Sequence, residues 1–336
     1  CWCTINYYIG SVMHLPKYPI YIISKGRWDS RQTQKTCEEL KLPYRIVIEE
    51  SEYDKYAENV PKGKILVLPS DFRNNPKYAI PVKEVSDKVG GSIPVRNWVW
   101  EHSIKEGHKR HWIWDDNMRH IYRLHKNQKI RVETGTPIRV FEEFVDRYEN
   151  VKMAGLQYDF FCPRYARRPP YYVNTRVYSC ILLSNDIPMR WRGLYNEDTD
   201  LSLQILKAGW CSILSNQFLV GKTASMTMKG GNTSEVYKLK QAGDKYTRTG
   251  DEASEYFADD FDNRKEFAES LKAAHPDHVA VLFRKDLQRW HHHVNFGAFV
   301  HQLKKKEGLN IPKGPNEWGM KKIRIDGGKT PNVERY

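Results

Sequence analysis

The 336-residue sequence has no apolar run near the roughly 18 residues that a membrane-spanning helix requires, so a chain threaded through a bilayer by helices is excluded. No stretch near its beginning reads as the apolar core of a secretory signal. Cysteine is sparse and scattered, at Cys1, Cys3, Cys37, Cys162, Cys180 and Cys211, which suggests neither a disulfide framework nor a paired zinc site. The expectation is a soluble protein of a reducing compartment. Internal repeats and clean linkers are lacking, so one main domain is expected. Acidic residues are the scarcer charge: 41 Asp and Glu stand against 54 Lys and Arg, a net +13 at pH 7. That excess points to a polyanionic partner, either nucleic acid, nucleotide phosphates or an acidic membrane surface. Position 1 is Cys rather than Met, and Met13 stands just before Leu15-Pro16, where regular structure is expected to begin; residues 1–17 read as an extension.

Aromatic residues, by contrast, are plentiful. They make up 12% of the chain, with 10 Trp and 20 Tyr, and need a packed interior, which excludes a disordered chain. The run over 18–24 (YPIYIIS) reads as a buried strand closed by the turn Lys25-Gly26-Arg27. Asp29 or Ser30 is the expected cap of a helix over 31–40. Strands over 44–49, 64–68 and 111–114 alternate with helices over 51–58 and 95–106. This alternation predicts βαβ units and a Rossmann-type, mostly parallel α/β sheet flanked by helices. Further along, an amphipathic helix is expected over 137–148, strands over 152–157 and 178–183, and a helix over 197–208 stopped by Gly209. Residues 221–265 are polar and Gly-rich and read as loops or a lid. A helix over 267–274, an apolar stretch over 279–283 and a His-rich stretch over 287–302 form a C-terminal elaboration. Residues 304–336 read as a basic tail.

Five features carry chemistry. Asp115-Asp116-Asn117 directly follows a strand, and ligands of open α/β sheets bind at the carboxyl ends of strands. Adjacent acids there need a neutralising cation, which a divalent ion bridging a diphosphate supplies; otherwise the motif is a turn satisfying backbone donors. Asn196-Glu197-Asp198 opens a helix, where acids complement the helix dipole. The same position also suits a carboxylate that takes a proton from an acceptor hydroxyl. Ser24-Lys25-Gly26-Arg27 places a glycine between two cations at a strand end, which suits a phosphate. The stretch over 162–172 (CPRYARRPPYY) offers Arg164, Arg167 and Arg168 among Tyr165, Tyr171 and Tyr172, and 118–126 adds Arg119 and Arg123. Arginines neutralise phosphates and aromatic faces stack on exposed bases; the bland reading is a solvated loop and a polar helix face. Finally, His291-His292-His293 offers one candidate metal ligand, or packed and exposed histidines.

Taken in order, Ser24-Lys25-Gly26-Arg27, Arg96-Asn97, Asp115-Asp116-Asn117 and Asn196-Glu197-Asp198 resemble the GT-A class of nucleotide-sugar glycosyltransferases. More narrowly, over about 18–296, the chain resembles the TET-associated glycosyltransferases of bacteriophages, enzymes thought to glycosylate 5-hydroxymethylcytosine in phage DNA. The resemblance implies a GT-A-like domain over 18–303, with a nucleotide-sugar half over 18–117 and an acceptor half over 118–303. It implies that Asp115 and Asp116 bind ribose and a divalent metal, Mn²⁺ or Mg²⁺, with Asp116 the first ligand. Asn117 departs from the plain Asp-x-Asp form and leaves open which acid touches the metal. Lys25, Gly26, Arg27 and Arg96 would lie near the donor, a UDP-sugar such as UDP-glucose or UDP-N-acetylglucosamine. Asp198, or else Glu197, would be the base of an inverting transfer, and His292, or a neighbouring His, a further metal or phosphate contact. The partner would be DNA containing 5-hydroxymethylcytosine, held by Arg164, Arg167, Arg168, Tyr171, Arg119 and Arg123, in the cytoplasm of an infected bacterium, with no membrane involved. Three alternatives remain: a protein or glycan acceptor, a nucleotidyltransferase, and a non-catalytic DNA-binding module.

Overall fold

The computed structural model describes residues 15–83, 85–223, 264–287, 289–309 and 333–334. Most of the expected 1–17 extension, of the 221–265 lid and of the 304–336 tail lies outside those residues.

The N-terminal strands are β1 (Ile20–Ile23), β2 (Arg45–Ile48), β3 (Ile65–Val67) and β4 (Arg110–Asp115). Then follow β5 (Met118–His125), β6 (Gln128–Val132), β7 (Val151–Tyr158), β8 (Tyr171–Val173), β9 (Cys180–Ser184) and β10 (Cys211–Lys222). A hairpin of β11 (Val279–Arg284) and β12 (Arg289–Val294) stands apart, and β13 (Val333–Glu334) joins the sheet edge. The main sheet has 11 strands in the order β13-β6-β5-β10-β7-β9-β4-β1-β2-β3, with β8 paired to β10. β5, β8 and β9 run against the others, because each pairs antiparallel with its neighbours; the rest share one direction. The architecture is the α/β one expected: a mixed, mostly parallel sheet flanked by helices.

The strand period of two explains the layers. Ile20, Ile22, Ile46, Ile48, Trp112 and Trp114 face one core, while Tyr21, Ile23, Val47 and Ile113 face the other. Helices α1 (Gln32–Glu39), α2 (Tyr53–Ala57) and α4 (Thr136–Val145) cover the first face through Cys37, Tyr56, Ile138 and Phe141. Helices α3 (Ile93–Lys105) and α5 (Glu197–Lys207) cover the second through Val99, Trp100, Leu201 and Ile205. The outer side of α5 carries Leu203 and Leu206, on which Leu271 of α6 (Arg264–Ala274), Val279 and Phe299 pack; this is the C-terminal elaboration.

Three local expectations need correcting. Neither Asp29 nor Ser30 caps α1: the N-cap is Arg31, in the left-handed region at φ 41°, with no side-chain cap. Instead Thr33, the second residue of the helix, ties its start to the acid motif; its Oγ1 donates to the Asp115 carbonyl at 2.6 Å and its N–H to the Asp116 carbonyl. Residues 118–126 are neither loop nor helix face. They form β5, joined to β6 by Lys126 and Asn127, whose φ values of 48° and 61° make the left-handed two-residue turn of a hairpin. Residues 211–222 are a long strand, so 221–222 belong to β10 rather than to a loop.

Candidate active site

The chain runs outward through β1, β2 and β3, returns through α3, and inserts β4 on the other side of β1. A crevice opens at such a reversal, at the carboxyl ends of the strands. Ser24-Lys25-Gly26-Arg27 follows β1 here, and Asp115 ends β4. A cavity of about 290 Å³ fills the crevice, lined by Ser24, Lys25, Arg27, Arg96, Asp115, Asp116, Asn117, Asn196, Glu197 and Asp198. Motifs far apart in sequence thus meet in one place. Gly26 does not line it; at φ 67° it makes the turn, and its N–H donates to Glu52 Oε1 at 2.8 Å.

Both acids of the strand-end motif are held by cations of the chain. Asp115 Oδ1 accepts from Arg96 Nη2 at 2.9 Å, and Oδ2 accepts from Lys222 Nζ at 3.0 Å and from Ser179 Oγ at 2.6 Å. Burial works against its ionisation, but Lys222 and Arg96 outweigh it and keep the carboxyl well below the usual carboxylate range. Lys222 is in turn held protonated, because Asp115 and Tyr158 outweigh the burial that would discharge it. Asp116 Oδ1 accepts from Arg27 Nη1, and Oδ2 from Ser24 Oγ at 2.8 Å. Burial raises the Asp116 carboxyl, with Arg27 opposing.

The acids of α5 take separate roles. Asn196 occupies the N-cap at φ 60° without a side-chain cap, so this strained turn, rather than capping, aims the first residues. Glu197, 8% exposed, accepts from Ser92 Oγ at 2.8 Å and lies 3.4 Å from Arg96 Nε; burial raises its carboxyl. Asp200 turns away into a buried cluster with Arg192, Gln204 and His275, whose Nε2 is 2.7 Å away. Asp198 lines the cavity and has no ion-pair partner among the described residues; its Oδ1 accepts from the Thr199 N–H at 2.7 Å. Among the described residues it is the acid of the helix start that pairs with no cation.

Sequence reasoning missed Lys222, Ser179, Tyr158 and Arg176, which line the same cavity. Lys222 ends the unrecognised β10 and Tyr158 ends β7. Arg176 lies over the Tyr178 ring at 4.4 Å and, among the described residues, pairs with no carboxylate.

The other expected site residues lie elsewhere. Arg164, Arg167 and Arg168 are exposed on the loop between β7 and β8, beside Tyr165, which is 90% exposed. Tyr171 is half-buried, with its ring 5.0 Å from Phe144. Arg119 and Arg123 lie on β5. His292 lines a second cavity and not the first. Burial and the Arg176 charge hold its imidazole down to about 3, so it stays neutral.

The donor set does not fit the divalent ion that the resemblance implies. All four carboxylate oxygens of Asp115 and Asp116 already accept from protein donors, and three of those donors are cations. Among the described residues no three His, Cys, Asp or Glu side chains gather as a metal site. The charge balance that a divalent ion would supply is met by Arg27, Arg96 and Lys222. Also among the described residues, no helix is long and apolar enough to cross a membrane.

Comparison with protein families gives one finding: residues 18–231 match the family model described as TET-Associated Glycosyltransferase. The match spans about two thirds of the chain, from β1 past the end of β10, and includes every residue named above as lining the first cavity. No curated protein matches the sequence.

Proposed function

We infer the reaction from one premise: the chain belongs to the TET-associated glycosyltransferase family. It is a glycosyltransferase, and the reading best supported is transfer of a sugar from a UDP-sugar to the hydroxymethyl oxygen of 5-hydroxymethylcytosine in DNA. The observation that carries this reading is the pairing, in one cavity, of a cation-lined strand end with the carboxylate of Asp198, which makes no ion pair among the described residues. In the proposed step the acceptor oxygen attacks C1 of the sugar and its proton passes to Asp198. The bond from C1 to the diphosphate oxygen breaks, and the diphosphate leaves with the electron pair. A single displacement inverts the anomeric centre. Lys222 and Arg176 receive the leaving charge, and Arg96 bridges the donor side to the helix start through Asp115 and Glu197. No step is routed through a metal.

A DNA acceptor is supported by the net charge of +13 and by the exposed arginines of the β7–β8 loop. The test is the intact mass of a 5-hydroxymethylcytosine oligonucleotide after incubation with the protein and a panel of UDP-sugars, with and without EDTA. The expected result is a gain of one sugar on that oligonucleotide, none on its cytosine counterpart, and a yield that EDTA leaves unchanged. Donor turnover without a gain on DNA would move the acceptor to protein or glycan. Loss of transfer in EDTA would restore the metal.

A further inference from the structure

The second cavity, about 570 Å³, opens beside the first, and no step of the proposed transfer uses it. Two features join them. Arg176 lines both, and Asp198 lines the first while its neighbour Thr199 lines the second. Whatever fills the second cavity therefore lies next to the proposed base.

The two linings differ in chemistry. Five carboxylates face the first cavity: Glu49, Asp115, Asp116, Glu197 and Asp198. None faces the second, whose walls are the aromatic and imidazole rings of Phe161, Tyr172, Tyr178, His291 and His292. The His291 and His292 rings stack, 5.0 Å apart at 21°. Flat neutral rings around a space of this size suit a planar, uncharged heterocycle. Asn174, 6% exposed, forms part of the wall; its Nδ2 is committed to the carbonyls of Phe299 at 3.0 Å and His301 at 2.9 Å. Its Oδ1 accepts from no donor among the described residues and is an unsatisfied buried acceptor in that wall.

The basic loop fixes the source of that heterocycle. Phe161, at one end of the loop, and Tyr172, at the other, both line the cavity. Between them the loop exposes Arg164, Arg167, Arg168 and the fully projecting Tyr165. A polyanion held by those arginines would run across the mouth of an aromatic pocket.

We propose that the second cavity receives the acceptor base itself, a pyrimidine nucleotide turned out of the DNA stack, and presents its 5-substituent to Asp198 past Arg176 and Thr199. This rests on the reading of DNA as acceptor. It adds that the duplex is opened for transfer rather than approached along its groove.

The test uses the full chain and a duplex with one 5-hydroxymethylcytosine beside 2-aminopurine, whose fluorescence rises when its neighbour leaves the stack. Binding should raise the fluorescence several-fold. Phe161→Ala and His292→Leu should each raise KM for the duplex by about tenfold or more, with a smaller change in kcat and with UDP affinity retained. Phe161 is 45% exposed, so its truncation leaves the fold intact and keeps the test decisive. Sugar transfer by the wild type without a fluorescence rise, or unchanged KM in both variants, would overturn the assignment of the cavity and leave the proposed reaction standing. No transfer to the duplex at all would overturn both.

Discussion

Lys222 and Asp115 are 3.0 Å apart inside the protein, and each fixes the charge of the other. Removing the cation leaves Asp115 with Arg96 as its one remaining cation beside the Ser179 hydroxyl, and takes a positive charge out of the proposed donor side. Lys222→Met should therefore weaken UDP-sugar affinity by about tenfold or more, on a scale set by the loss of one buried charge pair. Calorimetric titration of the folded variant checks this; unchanged affinity would remove Lys222 from the donor site. At this scale the sequence was partly readable. Lys25, Arg27, Arg96, Asp115, Asp116, Glu197 and Asp198 sit at strand ends or helix starts, where pattern alone places them on one side of a parallel sheet. Lys222 and Arg176 carry no such mark. They reach the cavity through tertiary placement, and the pairing of Arg96 with both Asp115 and Glu197 joins two motifs whose distance in space no spacing reveals.

Among the elements, α4 shows how burial tunes a group remote from the cavity. Glu142 is fully buried; it accepts from the Lys17 N–H at 2.6 Å and from Trp112 Nε1 at 2.8 Å. Burial outweighs those donors and pushes its carboxyl up from 4.5 to about 7. A folded value above the unfolded one gives stability that is complete below the unfolded value and is lost as pH rises through the folded one. The wild type should therefore melt lower at about pH 8 than at about pH 5, and Glu142→Gln should shrink that difference. An unchanged gap in Tm between the two pH values would mean that Glu142 does not titrate in this range. The elements that sequence pattern missed share one cause. β5 mixes Arg and His with apolar residues, and most of its side chains are only partly buried, which imitates a polar surface stretch. The apolar run of β10 is interrupted by Ser215-Asn216-Gln217, where its register against β7 shifts. Asn216 and Gln217 there donate their N–H groups to the Pro170 carbonyl, so the loop between β7 and β8 supplies the partners that the sheet does not.

For the whole molecule, the alternation of strands and helices over the first 115 residues was enough to read the parallel half of the sheet, but its reversal between β1 and β4 is visible only in the strand order. The second half was less legible because β9 runs antiparallel between β4 and β7, and only long-range pairing fixes that order. What the full fold adds is a division of labour. In the proposed reading the cations at the end of the parallel strands face the donor, and α5 brings a carboxylate to the same cavity from the other half. If that division is right, binding and chemistry separate on a single substitution. The most direct measurement is single-turnover sugar transfer by Asp198→Asn beside its dissociation constant for UDP-sugar. The account predicts transfer slowed by about 10²-fold or more with donor affinity retained, as expected when a general base is removed. Transfer near the wild-type rate, or donor binding lost together with transfer, would contradict it.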